Sequence, residues 1–372
     1  MPLYPVYALL FADTGLSGGE IASLFALWSL VGLVAEVPSG ALADRIPRRH
    51  LLVASGFVRA AGFALWVVLP GYPAFAAGFV LWGSAGALRS GTLEALTYDE
   101  LHRLGAGDRY AAVRARTGAA ELVAVVVAGT VAAPLLVVGG YPLLGAVSVA
   151  GCFVQVAVAT RLPLGRPPGD DYKEALRSGV REALTQRPVR RLVVFGALLG
   201  GVLAVDEFVP LLLRDAGLGD ALIALAGAAI PLAAAAGSAA AERLPRRGVV
   251  VTALAGSAVV VAAASAFHAL AGLAALGAWF GAVELARVLA DVRLQASITG
   301  SARATVTSVV GVGEELAGIT MFVLYGAMLG VVPVATVLFV GVTVPTLLLA
   351  ATVAAGRPGL SPARRIDEAQ RR

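Results

Sequence analysis

Long apolar runs separated by short polar or Gly/Pro-rich breaks dominate the chain. Eleven of them are long enough to cross about 30 Å of hydrocarbon as helices of about 20 residues. They are residues 20–42, 51–69, 74–97, 117–138, 141–160, 191–213, 221–241, 249–268, 272–292, 305–329 and 332–355. A twelfth run, Pro2 to Ala12, comes first; at 1.5 Å per residue it reaches only about 17 Å. The longest polar stretch, 162–190, carries Pro163, Pro167, Pro168, Asp170 and Asp171, then an amphipathic segment from Lys173 to Leu184. It is expected to be a linker whose helix lies on the membrane surface, or alternatively a docking segment. It divides the chain into halves at 1–161 and 191–356 and leaves a tail at 357–372.

Composition removes the soluble alternative. Of 372 residues, 58% are hydrophobic and only 14% charged, against about 45–50% and about 25% in soluble domains. The fold class expected is all-α integral membrane. Cys152 stands alone and His50, His102 and His268 are scattered, so no disulfide framework or metal site is expected. The net charge of +5 would suit nucleic acid only if clustered on one face. The basic residues sit in short loops instead, and there they report topology. One side carries Arg45, Arg48 and Arg49, then Arg103, Arg109, Arg114 and Arg116, then those from Arg161 to Arg191, then Arg243, Arg246, Arg247, Arg293, Arg303 and the tail. The other side carries Arg214, while Arg59, Arg89 and Arg287 fall inside spans. The central loop and the C-terminus are therefore expected in the cytoplasm of a multi-pass plasma-membrane protein.

The loops also record a duplication. Ala41-Leu-Ala-Asp-Arg-Ile-Pro-Arg-Arg49 answers to Ala239-Ala-Ala-Glu-Arg-Leu-Pro-Arg-Arg247 at an offset of 198, which also places Gly83 on Gly281 and Arg89 on Arg287. Asp13-Thr-Gly-Leu matches Asp215-Ala-Gly-Leu at an offset of 202, and Glu121-Leu matches Glu315-Leu at 194. Two homologous halves of six spans are a transporter architecture, with the substrate site near the midplane.

These residues carry a resemblance. Gly40-Ala-Leu-Ala-Asp-Arg-Ile-Pro-Arg-Arg49 resembles G-x-L-a-D-r-x-G-r-r, the signature between helices 2 and 3 of the major facilitator superfamily, with Pro47 where the family usually has glycine. The resemblance implies two pseudo-symmetric six-helix bundles. It also implies that Asp44 holds one end of a transporter closed, with Gly40 in its packing face and Arg45, Arg48 and Arg49 as its cationic surroundings. Glu242, Arg243, Arg246 and Arg247 are the diluted second copy, since Gly40 and Leu42 have become Ser238 and Ala240. Arg89-Ser-Gly resembles the arginine motif of proton-coupled members. Gly129-Thr-Val-Ala-Ala-Pro134 with Gly139-Gly140 resembles a degenerate drug-antiporter motif, or a generic Gly/Pro kink.

A charge inside a span costs several kcal/mol unless it is paired or hydrated, which makes each one a candidate functional group. Glu36 and Arg59 differ in depth by only about 4–5 Å and are expected to form a structural ion pair. Gly83, Gly86, Ser90, Glu94 and Thr97 share one face of a continuous helix, for packing or for a pathway beside Arg89. Glu284, Arg287 and Asp291 alternate in sign at pairing distance along a helix, as a gate or packing network. Glu121 and Glu315 are expected either to couple or gate, or to bond to Arg89, Arg287 or a helix N-terminus; Glu314 points elsewhere. Asp206 and Glu207 are adjacent acids with no basic neighbour before Arg214. Such a pair resists becoming doubly charged and suits proton binding, unless it lines a solvated vestibule.

The expected function is secondary active transport by alternating access, as proton-coupled efflux of small amphipathic or drug-like molecules. Nutrient or metabolite import is the alternative, and a non-transporting receptor or scaffold the third. No Walker sequence is present, the only lysine being Lys173 after Tyr172, and three remote histidines build no catalytic constellation. Small-molecule substrate, protons and lipid are the expected partners of a monomer without cofactor, metal or nucleic acid. The offset of 202 leaves Arg191 to Val202 without counterpart in the first half. The first helix is thus expected to be truncated by about 18 Å, as a start site placed too far downstream would make it. A reporter fused after Arg372 should be active only if it functions in the cytoplasm; activity of a periplasm-dependent reporter there would refute the topology.

Overall fold

The computed structural model describes residues 1–43, 46–89, 92–165, 185–243, 247–264, 269–298 and 303–356. For residues 36–41, 43, 111, 115, 242, 243, 247, 264, 269, 303–305 and 334 only the backbone is described. The expectations on Asp44, Arg45, Arg246, most of the linker and the tail therefore lie outside the described residues, as do those on the side chains of Glu36, Glu242, Arg243 and Arg247.

Regular structure among the described residues is helical throughout. A 3-10 turn, Tyr4–Val6, leads into α1 (Tyr7–Asp13), followed by α2 (Gly18–Ala43), α3 (Arg48–Val68), α4 (Tyr72–Arg89), α5 (Thr92–Arg103) and α6 (Tyr110–Ala159). After the linker come α7 (Arg187–Leu203), a 3-10 turn Ala204–Phe208, α8 (Val209–Asp215), α9 (Asp220–Arg243), α10 (Arg247–Ala264), α11 (Ala269–Ser297) and α12 (Arg303–Met328). The last span is α13 (Val334–Leu338), a π turn Phe339–Thr343 and α14 (Val344–Ala354).

Among the described residues eight helical stretches are long and apolar enough to cross a bilayer, where the hydropathy pattern predicts eleven. The difference has local causes. The predicted runs 117–138 and 141–160 lie on α6, which breaks at Gly140 with φ of 59°, a left-handed value that glycine adopts without a Cβ clash. Run 249–268 falls on α10, of which Gly248–Ala263 is apolar. Run 74–97 falls on two helices, α4 and α5, with Ser90 and Gly91 outside the described residues. The face expected from Gly83 to Thr97 is thus shared between α4 and the more polar α5.

By packing, the chain forms two compact units that do not follow the sequence halves. Unit 1 comprises Met1–Asp170, Asp206–Pro231 and Phe322–Val331, and unit 2 comprises Asp171–Val205, Leu232–Met321 and Val332–Arg372. In lipid no hydrophobic force distinguishes a neighbouring helix from an acyl chain, so close packing and polar contacts hold helices together. Unit 1 supplies this with rings. Phe11 lies 4.2 Å from Phe75 and Trp66 lies 4.8 Å from Phe79, centroid to centroid. Trp66 Nε1 donates to the Phe75 carbonyl at 3.1 Å, and Gly78 leaves the space in which that indole sits.

Unit 2 is closed instead by small residues. A Cβ on Gly237 would lie 2.0 Å from the carbonyl oxygen of Gly281, so α9 and α11 touch backbone to backbone. Trp279 Nε1 donates to Thr346 Oγ1 at 2.9 Å, which ties α11 to α14. The duplication reappears in this packing. Gly83 of α4 approaches Val31 of α2, while Gly281 of α11 approaches Ala233 of α9.

Because Gly237 faces rigid backbone, Gly237→Ala should destabilise unit 2 by about 1–3 kcal/mol, the usual cost of overpacking. Gly256→Ala, which meets open space, is the control. Thermal unfolding of the purified variants checks the pair, and equal midpoints would refute the contact.

Candidate functional site

A short helix, α1, and an interrupted one, α7 with α8, build the site. The offset of 202 that matches Asp13 to Asp215 also lays α1 (Tyr7–Asp13) onto α8 (Val209–Asp215), end on end. Each follows a 3-10 turn and has a nearby proline, Pro5 in the first copy and Pro210 in the second. Proline has no N–H for the helical ladder and disfavours α geometry in the residue before it. The predicted run 191–213 is therefore three pieces, and Asp206 and Glu207 lie in its 3-10 turn rather than on a helix. Discontinuous helices of this kind characterise transporter binding sites, because their unwound backbone lines a cavity.

Tyr7 of α1 and Asp206 and Glu207 of the second turn all belong to unit 1, where they meet. Tyr7 Oη donates to Glu207 Oε2, and both side chains are buried. The Leu3 amide donates to Ser148 Oγ of α6 at 3.0 Å, which anchors the first turn. Tyr4, Tyr7, Asp206, Glu207, Ile223 and Pro231 help to line a cavity of about 230 Å³. Gly227 lets α9 approach Pro5 there, since a Cβ would sit 2.7 Å from the proline ring. Among the described residues neither Asp206 nor Glu207 forms an ion pair.

Tyr4 and Val125 are also walls of a second, larger cavity of about 410 Å³. Its charged side chains are Arg59 of α3, Arg89 of α4 and Glu121 of α6. Arg89 Nη2 lies 2.9 Å from Glu121 Oε1, so Arg89 is the partner that Glu121 finds. Arg59 forms no ion pair among the described residues, and its Nε is a buried donor without a partner. Leaving such a donor unmet costs about 1–3 kcal/mol.

The second-half equivalents are arranged differently. Arg287 pairs with Glu284 on its own helix, at 2.8 and 2.9 Å, as the alternating stripe predicts. Position 284 corresponds to Gly86 in the first copy, so the acid has moved onto the arginine's own helix. Glu315 is exposed and makes no hydrogen bond or ion pair among the described residues, unlike Glu121. Asp291 accepts from Gln295 at 3.3 Å, and Gly200 makes room for Glu314. Glu94, on α5, pairs with Arg114 of α6 at 3.1 Å.

At the loop signature, Arg48 is buried and pairs with Asp99 of α5. Arg49 donates its amide to the Leu164 carbonyl at 3.3 Å and its guanidinium to that of Leu162 at 3.4 Å. These two loop arginines therefore fasten the start of α3 to α5 and to the end of α6. Gly40 lies in α2.

A polar cluster that hydropathy alone does not single out closes the opposite end of unit 1. Arg214 Nη1 lies 2.5 Å from Asp13 Oδ1 and Nη2 lies 2.8 Å from Asp220 Oδ2, while Tyr141 Oη donates to Asp13 Oδ2 at 2.6 Å. Tyr7, Asp13, Asp99, Tyr141 and Asp220 were thus missed as polar partners. The one signal for Asp13 was its place at the end of α1 in the repeat.

Comparison with known proteins fixes the family and the fold. The sequence matches the Major Facilitator Superfamily over residues 1–241. The chain belongs to that superfamily, and it is a transporter rather than an enzyme. No curated protein matches it. Its fold is similar to that of the nucleoside transporter NupG, with a TM-score of 0.74 at 12% identity over 95% of each chain. It is similar also to a D-xylose-proton symporter, with a TM-score of 0.74 at 13% identity over 94% of this chain and 91% of that one. An auto-inhibited POT family peptide transporter gives a TM-score of 0.75 at 12% identity over 95% and 93%.

Arg214→Gln leaves Asp13 and Asp220 without their shared cation. It should lower the thermal midpoint more than Tyr141→Phe, which removes one hydrogen bond worth about 0.5–1.5 kcal/mol. The acids are partly exposed, so solvent screening trims the effect. Equal midpoints for the two variants would remove Arg214 as the centre of the cluster.

Proposed function

We propose that the chain is a proton-coupled secondary transporter that exports small amphipathic molecules by alternating access. The observation that carries this reading is the pair Asp206 and Glu207. Two adjacent acids sit in the break of an interrupted helix, at a cavity, with a tyrosine hydroxyl and no cation as the partner of the buried one. A carboxylate held by a cation has reason to stay charged, whereas one held by a hydroxyl can exchange its proton as water reaches it. The degenerate antiporter motif at Gly129 to Gly140 supports efflux. Arg89 and Glu121 are a secondary coupling pair, since protonating Glu121 would release Arg89.

Proton-driven uptake is the second reading, favoured by the likeness to a D-xylose-proton symporter. In either case we place a monomer in the plasma membrane, with its C-terminus in the cytoplasm. Its homologous halves are residues 1–161 and 191–356, joined by a cytoplasmic linker and followed by a cytoplasmic tail.

Proteoliposomes carrying a pH-sensitive dye, screened with a compound panel under a gradient of each sign, test both the coupling and its direction. A compound that moves protons identifies a substrate. For that substrate, Glu207→Gln and Asp206→Asn should lose uphill accumulation and keep exchange down a gradient. If the double variant still concentrates substrate, the coupling site lies elsewhere.

A further inference from the structure

We infer that the cavity of about 410 Å³ in unit 1 binds organic anions, compounds with a carboxylate or similar acid head on a flat apolar body. The inference deepens the transporter reading and rests on it. The volume lies within the range of about 300–1,000 Å³ that small-molecule sites occupy.

Charge sets the head group. The cavity wall carries two guanidinium groups, Arg59 and Arg89, and one carboxylate, Glu121. Glu121 neutralises Arg89 at 2.9 Å, which leaves Arg59 as a net positive charge with a buried, unpartnered Nε. A cation away from bulk water is stabilised by an opposite charge that also accepts its hydrogen bonds. A cationic substrate would be repelled there, and a neutral one would leave the charge uncompensated.

Shape sets the body. Phe63 and Trp82 lie 5.6 Å apart and Tyr4 and Trp82 lie 5.8 Å apart, ring centroid to centroid. All three line the cavity, and Ala124 and Ala128 of α6 leave room beside them. Rings in such a wall offer faces and edges to an aromatic ligand at a distance that favours offset or edge contacts. An inorganic anion would satisfy Arg59 and leave this apolar wall empty.

The test is equilibrium binding to the purified full chain in nanodiscs, followed by calorimetry, with three probes of one shape: 2-naphthoate, 2-naphthamide and 2-naphthylmethylamine. Wild type should prefer the carboxylate over the amide by about tenfold or more, the scale of one charge-assisted hydrogen bond, and bind the amine least. Arg59→Gln should erase that preference, and Arg59→Lys should restore part of it. Should Arg59→Gln fail to fold, Glu121→Gln decides, because freeing Arg89 should tighten naphthoate binding. Equal binding of carboxylate and amide to wild type, no binding of either, a preference that survives Arg59→Gln, or no gain in Glu121→Gln would each overturn the inference. Binding needs no gradient, so failure here is distinguishable from failure of coupling. A chain that prefers naphthoate through Arg59 and moves no protons refutes only the coupling. One that moves protons and shows no carboxylate preference refutes only the anion site.

Discussion

Hydrocarbon removes the water that would otherwise stabilise an ionised side chain, and most of this chain's polar architecture answers that constraint. Several of its charged groups find partners on other elements: Arg48 on Asp99, Glu94 on Arg114, Arg89 on Glu121, and Arg214 between Asp13 and Asp220. Each pair specifies which helices lie side by side. That matters in lipid, where apolar surface alone does not choose between a helix and an acyl chain. Against this background the few groups that remain unmatched stand out. Arg59 has a buried donor without a partner, and Glu207 has a hydroxyl where other acids have a cation.

Glu207 lies where the backbone is also irregular. The two 3-10 turns at Tyr4–Val6 and Ala204–Phe208 occupy equivalent places in the repeat. A regular helix satisfies its own amides; a broken one exposes backbone that must be met by side chains or by water in a cavity. The interruption therefore accounts for two features at once. It opens the space of about 230 Å³ beside α1 and α8, and it turns Tyr7 and Glu207 towards each other instead of towards lipid.

Much of the fold was legible because hydropathy depends on one chain segment at a time. The spans, the loop arginines and the duplication all appear without knowledge of neighbours, and the stripe Glu284–Arg287 pairs as its three-residue spacing requires. What escaped is what depends on a second segment. Arg214 reads as one basic residue in an outer loop, because its partner Asp13 is 201 positions away. Glu121 and Glu315 read as equivalents, yet the first faces an arginine and the second does not. The difference traces to Gly86, which in the second copy is Glu284, an acid already placed on the arginine's own helix. Asp206 and Glu207 do lie within one apolar stretch, Arg187 to Asp215, but the 3-10 turn that holds them is not legible, since the run 191–213 is apolar enough to read as one helix and the effect of Pro210 is local.

The two cavities of unit 1 have opposite character and a common wall. Tyr4 and Val125 border both, with Asp206 and Glu207 on one side and Arg59, Arg89 and Glu121 on the other. Tyr4 also packs 5.8 Å from Tyr7, the donor to Glu207, and 5.8 Å from Trp82 of the larger cavity. An anion at Arg59 and a proton at Glu207 would thus be separated by a single layer of aromatic side chains. Loading one would change the field felt by the other, because aromatic side chains screen a charge less than water does. For the second reading, proton-driven uptake, an anion at Arg59 and a proton at Glu207 would favour each other's binding in the same state, whereas export needs the two to exclude each other. Linkage of this kind is reciprocal. It would let substrate and proton share one conformational cycle without direct contact, with the ring of Tyr4 as the element common to both sites.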